Sequence, residues 1–205
     1  MAGYREFLVR VDVSEGELAR VDRDVADIAA ERRTPPESKP DPRPLDDDLF
    51  WEIVEADGEQ PLGERLEAFP DNLARFKPKT IRDFYRKLRE VWGQAYRTDV
   101  WALAYLLRGG CSDDSFMGFR AWLILQGRAV FEATLKDPDA FNVELFQSDS
   151  DGCESILEAP AIAYELRAGK SFPPTKTPLL KLTGPEIDEE EFAASLPRIS
   201  AALDA

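Results

Sequence analysis

Residues 78–96, PKTIRDFYRKLREVWGQAY, decide the architecture. The apolar positions Ile81, Phe84, Tyr85, Leu88, Val91, Trp92 and Tyr96 recur with the 3.6-residue period of a helix that buries one face. Pro78 suits the first helical position, where its missing N–H costs nothing. Working outward, 99–107 (DVWALAYLL) reads as a second helix and 113–135 as a third, long one, with Phe116, Phe119, Trp122, Leu123 and Phe131 apolar. Ten of the 21 aromatic residues fall between Phe84 and Phe131, so the core is expected there.

The flanks extend the helical reading. Asp46 is placed to cap a helix with Leu49, Phe50, Ile53 and Val54 inward, ending near Asp57-Gly58. Residues 60–76 read as short helical pieces broken at Pro70. A helix over about 153–168 is expected to kink or restart at Pro160, and an acidic helix over 188–203 closes the chain. Ahead of these, 34–45 belongs to a stretch with five prolines by residue 46, a stiff linker. Before it, 5–13 alternates with Phe7, Val9, Val11 and Val13 on one side, and a capping box at Ser14–Glu17 opens a helix to about Arg33. The expected class is mainly α: one helical domain over 46–205, a proline linker over 34–45, and a strand–helix appendage over 1–33. A lone strand leaves its edges unpaired, so the appendage must pair with the body or mediate a homodimer.

Composition narrows the chemistry. There is no histidine, which excludes a Ser-His-Asp or Cys-His relay and any His-ligated metal. The formal charge of −14 opposes whole-surface attraction to nucleic acid or anionic membrane. The two cysteines, Cys111 and Cys153, form neither a disulfide scaffold nor a CxxC zinc site. There is no leader-like apolar run at the start and no 18-residue apolar stretch, so the expected location is the cytoplasm. Gly169-Lys170-Ser171 resembles the end of a phosphate loop, but Tyr164 stands where that motif needs glycine.

The charge is uneven. Residues 75–97 hold eight basic and two acidic residues, with Lys79, Arg82, Arg86, Arg89 and Arg97 opposite the apolar stripe. Pairing with acidic helices, such as the one bearing Glu154, Glu158 and Glu165, or simply a solvated face, is favoured over nucleic-acid contact because the total field repels polyanions.

The most distinctive local feature is RGGCSDDSF, residues 108–116. Gly109-Gly110 can end one helix and Ser112 can cap the next, with Asp113 and Asp114 in its first turn. The functional alternative gathers a thiol, a hydroxyl and two carboxylates at one helix end. Asp99 and Trp101 on the preceding helix and Arg120 and Trp122 on the following one would then line a shared polar pocket. The candidate binding residues are Asp99, Trp101, Cys111, Ser112, Asp113, Asp114, Arg120 and Trp122. No catalytic set, metal site or cofactor is assigned.

The run YRTDVWALAYLLRGGCSDDSFMGFRAWLILQGRAVFEATLKDPD resembles the signature of a bacterial family, domain of unknown function 4240. The resemblance begins near DDDLFWEIVE and continues weakly into GPEIDEEEFAASLPRISAAL, about 46–205 in all. Matching positions include Asp99, Trp101, Gly109, Gly110, Cys111, Ser112, Asp113, Asp114, Phe119, Arg120, Trp122, Gly127, Asp137 and Pro138. It implies a helical domain and no established activity, substrate or cofactor. The expected function is a binding or interaction module for a protein partner. The competing one is an enzyme using Asp113 and Asp114, with Cys111 or Ser112, on a small polar or peptide substrate with a divalent cation.

Overall fold

The computed structural model describes residues 39–146, 152–175 and 180–204. The expected strand over 5–13, the helix to Arg33 and residues 34–38 of the proline linker lie outside these residues. The described residues are mainly helical and form no extended strand. In chain order the helices are α1 (Asp47–Glu55), α2 (Leu62–Leu73), α3 (Pro78–Gln94), α4 (Thr98–Arg108), α5 (Asp113–Leu125), α6 (Arg128–Lys136), α7 (Ala159–Ala168), α8 (Phe192–Ser195) and α9 (Pro197–Leu203). Short 3₁₀ turns fill several of the gaps. The chain divides into two compact units, with the division falling in α3 between Arg89 and Glu90. Among the described residues, the first unit takes 39–89 together with 155–175, and the second takes 90–146, 152–154 and 180–204.

In the first unit, α1 begins as its sequence predicts: Asp46 Oδ1 accepts the Leu49 N–H at 2.8 Å. Phe84 of α3 is fully buried, its ring 5.0 Å from Phe50 and 5.8 Å from Phe69. The break expected at Pro70 does not occur, because α2 runs through it. Only the final turn follows the proline, so little of the helical ladder is forfeited. Phe69, Pro70 and Leu73 are all buried, and that burial offsets the loss. Arg167 Nε, from the last turn of α7, donates to the Ala74 carbonyl at 2.6 Å and satisfies the frayed end.

At Pro160 the restart is what forms. Cys153–Leu157 is a 3₁₀ turn, and α7 opens at Ala159 with the proline in its first turn. The end of the proline stretch is pinned. The Asp41 N–H donates to the Arg75 carbonyl at 2.9 Å, and Arg43 grips Glu52 with two bonds of 2.8 and 2.9 Å.

In the second unit, the long helix expected over 113–135 is two helices. Gly127 adopts φ +89°, ψ 170° and ends the α5 ladder. That region is essentially reserved for glycine. The closing helix expected over 188–203 is also divided, into a 3₁₀ turn at Glu189–Glu191, α8 and α9. Pro197 disfavours the α region for the residue before it, and Leu196 sits at φ −127°, ψ 66°. Thr183 is zipped onto the α3–α4 junction: its N–H donates to the Tyr96 carbonyl at 3.1 Å, and its carbonyl accepts the Thr98 N–H at 2.8 Å.

Candidate functional site

The corner between α4 and α5 is built entirely from local rules. Gly109 takes the left-handed conformation at φ +67°, and the Gly110 N–H donates back to the Tyr105 carbonyl at 2.9 Å. With the Gly109 N–H directed at Leu106, this is the Schellman ending that the glycine pair predicts. Ser112 Oγ then accepts the Ser115 N–H at 3.2 Å and caps α5. Trp101 locks the turn from the side: its Nε1–H donates to the Cys111 carbonyl at 3.0 Å. The Trp101 ring stacks on Phe116 at 4.8 Å and 18°.

The structure divides the eight candidate residues among four surroundings. Ser112, Asp113 and Asp114 are exposed at the start of α5, where the helix dipole favours the two carboxylates. Trp101 is bonded to the Cys111 carbonyl, and the Cys111 thiol feels the charge of the buried Arg120. Asp99 sits at the opposite end of α4, its carboxylate bound by Arg97 Nε at 2.9 Å and by Arg97 Nη2. Arg97 also donates to the Leu135 carbonyl at 2.7 Å, so this pair fastens α6 to the α3–α4 junction. Trp122 turns the other way, into a cluster with Phe119, Phe141 and Phe146. Two residues of α-helix rotate about 200°, which leaves Trp122 and Arg120 on nearly opposite faces of α5.

Arg120 is the least expected feature. It is only 5% exposed. Its guanidinium lies 3.6 Å from the Trp92 ring centroid, 4.6 Å from Tyr96 and 5.0 Å from Phe116. Nε faces the Phe116 carbonyl at 3.4 Å, and Nη1 faces the Trp92 carbonyl at 3.5 Å. Three rings thus form much of the cation's surroundings. The sequence carries part of a signal for this: Phe116 and Arg120 are four apart in α5 and share a face, while Tyr96 lies just beyond the end of α3. What the spacing does not carry is the meeting of that face with Trp92 and Tyr96.

Cys111 is a poor nucleophile here. Burial pushes its thiol up to about 11, with Arg108 and Arg120 pulling back and Asp113 adding to the rise. The thiol is therefore protonated at neutral pH. Alkylation of Cys111 by iodoacetamide at pH 7.5 is expected to run about two orders of magnitude below that of an ordinary cysteine, because the thiolate fraction falls by that factor. The rate should climb about tenfold per pH unit up to the thiol's pKa. A plateau below pH 9 in a pH–rate series followed by mass spectrometry would contradict this. Cys153 is fully buried, and both thiols are free.

The basic helix answers its charge close to home. Lys79 and Arg86 both engage Asp83 within α3, and Lys87 reaches Asp47 of α1 at 2.9 Å. Burial lowers the Arg89 guanidinium below its ordinary value. Arg97 lies beyond the end of α3 and binds Asp99 instead. Glu154, Glu158 and Glu165 do not share one helix, since Glu154 belongs to the 3₁₀ turn before α7. Among the described residues, no three carboxylate or cysteine side chains converge as a metal ion would require. No helix among them is long and apolar enough to cross a membrane.

A second polar cluster escaped the sequence reading. Arg198 of α9 binds Asp137 and Asp139, which flank the Pro138 turn. Residues 59 to 61 positions apart give no periodic signal that could have paired them.

No curated protein and no solved structure matches the chain. A family model does match residues 45–166, described as a protein of unknown function, DUF4240. The match takes in α1 to α6 and most of α7, and so the α4–α5 corner, the Arg120 cage and the Asp137–Asp139 turn. It covers more than half of the chain, and the protein belongs to the DUF4240 family.

Proposed function

We propose that this protein is a binding module whose contact is the α4–α5 corner, and that it takes a basic segment of a protein partner. The observation that carries the reading is the combination at that corner. Asp113 and Asp114 are exposed, while the backbone beneath them is fixed by the Schellman ending, the Ser112 cap and the Trp101–Cys111 bond. A rigid acidic point loses little entropy on binding. The raised thiol pKa of Cys111 supports binding over nucleophilic chemistry. The two free thiols suit a reducing, cytoplasmic setting.

An amide-resolved NMR titration with an arginine-rich peptide tests this. Shifts are expected at residues 109–115, weakening as salt is raised. They should vanish in Asp113→Asn/Asp114→Asn, which costs the fold only about 0.3–1 kcal/mol per lost dipole contact. Shifts spread over the whole acidic surface, or equal shifts in the double variant, would overturn the corner as the contact.

A further inference from the structure

We propose that the groove between residues 39–42 and Arg75 is a docking site for an acidic segment of a protein partner. This site is separate from the α4–α5 corner. It belongs to the first unit, carries the opposite charge and makes no use of Asp113 or Asp114.

Two stretches far apart in sequence set its backbone. Asp41 and Phe76 form a parallel bridge, and the Asp41 N–H donates to the Arg75 carbonyl at 2.9 Å. Phe76 is buried and anchors the second stretch just before α3. The first stretch is held along its length. Pro40 and Pro42 have a fixed φ and no N–H to satisfy. The Arg43 N–H donates to Asp41 Oδ1 at 2.8 Å, and the buried Thr80 hydroxyl donates to the Arg43 carbonyl at 3.0 Å. The backbone under the groove is thus ordered before a ligand arrives, which lowers the entropy lost on binding.

The charges around it are answered unequally. Lys39, Pro40, Asp41, Pro42 and Arg75 line a concavity of about 480 Å³. The Asp41 carboxylate is bound by Arg43 Nε at 3.0 Å, and the same guanidinium grips Glu52. Both acids are therefore committed to Arg43. Lys39 and Arg75 are exposed, and among the described residues neither meets a carboxylate. The contrast with α3 is direct: Lys79, Arg86 and Lys87 each have an acidic partner.

Size and charge select the occupant. The concavity far exceeds the roughly 30 Å³ that one water takes in the liquid, and its volume is that of sites for extended ligands rather than for a lone ion. Long nucleic acid is opposed by the formal charge of −14. A short peptide with a few carboxylates meets less of that field. Its carboxylates suit the planar fork of Arg75 and the ammonium of Lys39, and its aliphatic stems suit the proline rings between them.

Titration of the full-length protein with a fluorescein-labelled hexaglutamate peptide, followed by anisotropy, tests this. Saturable binding is expected at low salt, weakening as salt is raised. Lys39→Gln/Arg75→Gln should weaken it by at least about tenfold, because both charge-assisted contacts are lost. Lys136→Gln/Lys181→Gln removes the same charge from exposed positions in the second unit and should change the affinity by less than about twofold. All four side chains are exposed, so circular dichroism and Tm should match the parent chain. In the parent chain, amide shifts on adding the peptide should centre on residues 39–43 and 74–77. No saturable binding below about 1 mM overturns the proposal. So does an equal loss in the two double variants, which would mean attraction to net charge alone. Tighter binding of an oligothymidylate with six phosphates would overturn the acidic peptide as the occupant.

Discussion

Arg120→Ala is expected to lower the unfolding free energy by about 3–5 kcal/mol, because it empties a large buried site and strips two carbonyls of a donor. For a chain of this size, that is a fall of roughly 6–20 °C in Tm, at about 2–4 °C per kcal/mol. The guanidinium fills the space between Trp92, Tyr96 and Phe116, so its loss opens a gap between α3 and α5. Two further variants separate charge from shape. Arg120→Lys keeps the charge but loses the flat stacking surface and the fork that reaches the Phe116 and Trp92 carbonyls, so it should be about as damaging as alanine. Arg120→Met discards the charge but fills the gap with a pliable thioether that contacts aromatic edges, so it should recover about half of the loss. Urea unfolding of the set measures the order. A cost below about 1 kcal/mol for alanine would show that the cage does not support the fold.

Phe84→Ala is the matching perturbation in the first unit, with an expected cost of about 3–5 kcal/mol. Phe84 is fully buried and holds Phe50 of α1 and Phe69 of α2 against α3. Removing it takes away the ring that both neighbours share. Phe84→Leu retains most of the volume and should cost only about 1–2 kcal/mol. Equal costs for the two variants, read from the same urea curves, would mean that the cluster relaxes around the loss rather than leaving a cavity.

The parts of the fold that were legible are those governed by chain neighbours. The period over 78–96 gave α3, and Asp46, Ser112 and the Gly109-Gly110 pair gave their caps, because each acts on a backbone group within five residues. The misplaced boundaries have equally local causes whose outcome packing decides. Pro70 stays inside α2 because its neighbours are buried. Gly127, read as an interior residue of a long helix, ends α5 by adopting a backbone that only glycine tolerates. Pro197 restarts the closing helix instead of riding within it.

The candidate site was legible in the same proportion. The corner forms as a corner, and Trp101 does reach it. Trp122 and Asp99 lie away from it for reasons of rotation and of pairing: one is on the far face of α5, and the other is claimed by Arg97 two residues away.

By itself the sequence determined the helical class, the caps, the absence of any histidine chemistry and the family, because these depend on composition and on spacings of a few residues. The tertiary structure alone decided the surroundings of each charge. Arg120, one basic residue among 26, became a buried cation enclosed by rings from two helices. Arg198 found Asp137 and Asp139 across some sixty residues. Such meetings depend on which helix faces oppose one another, and no periodicity within one helix encodes that.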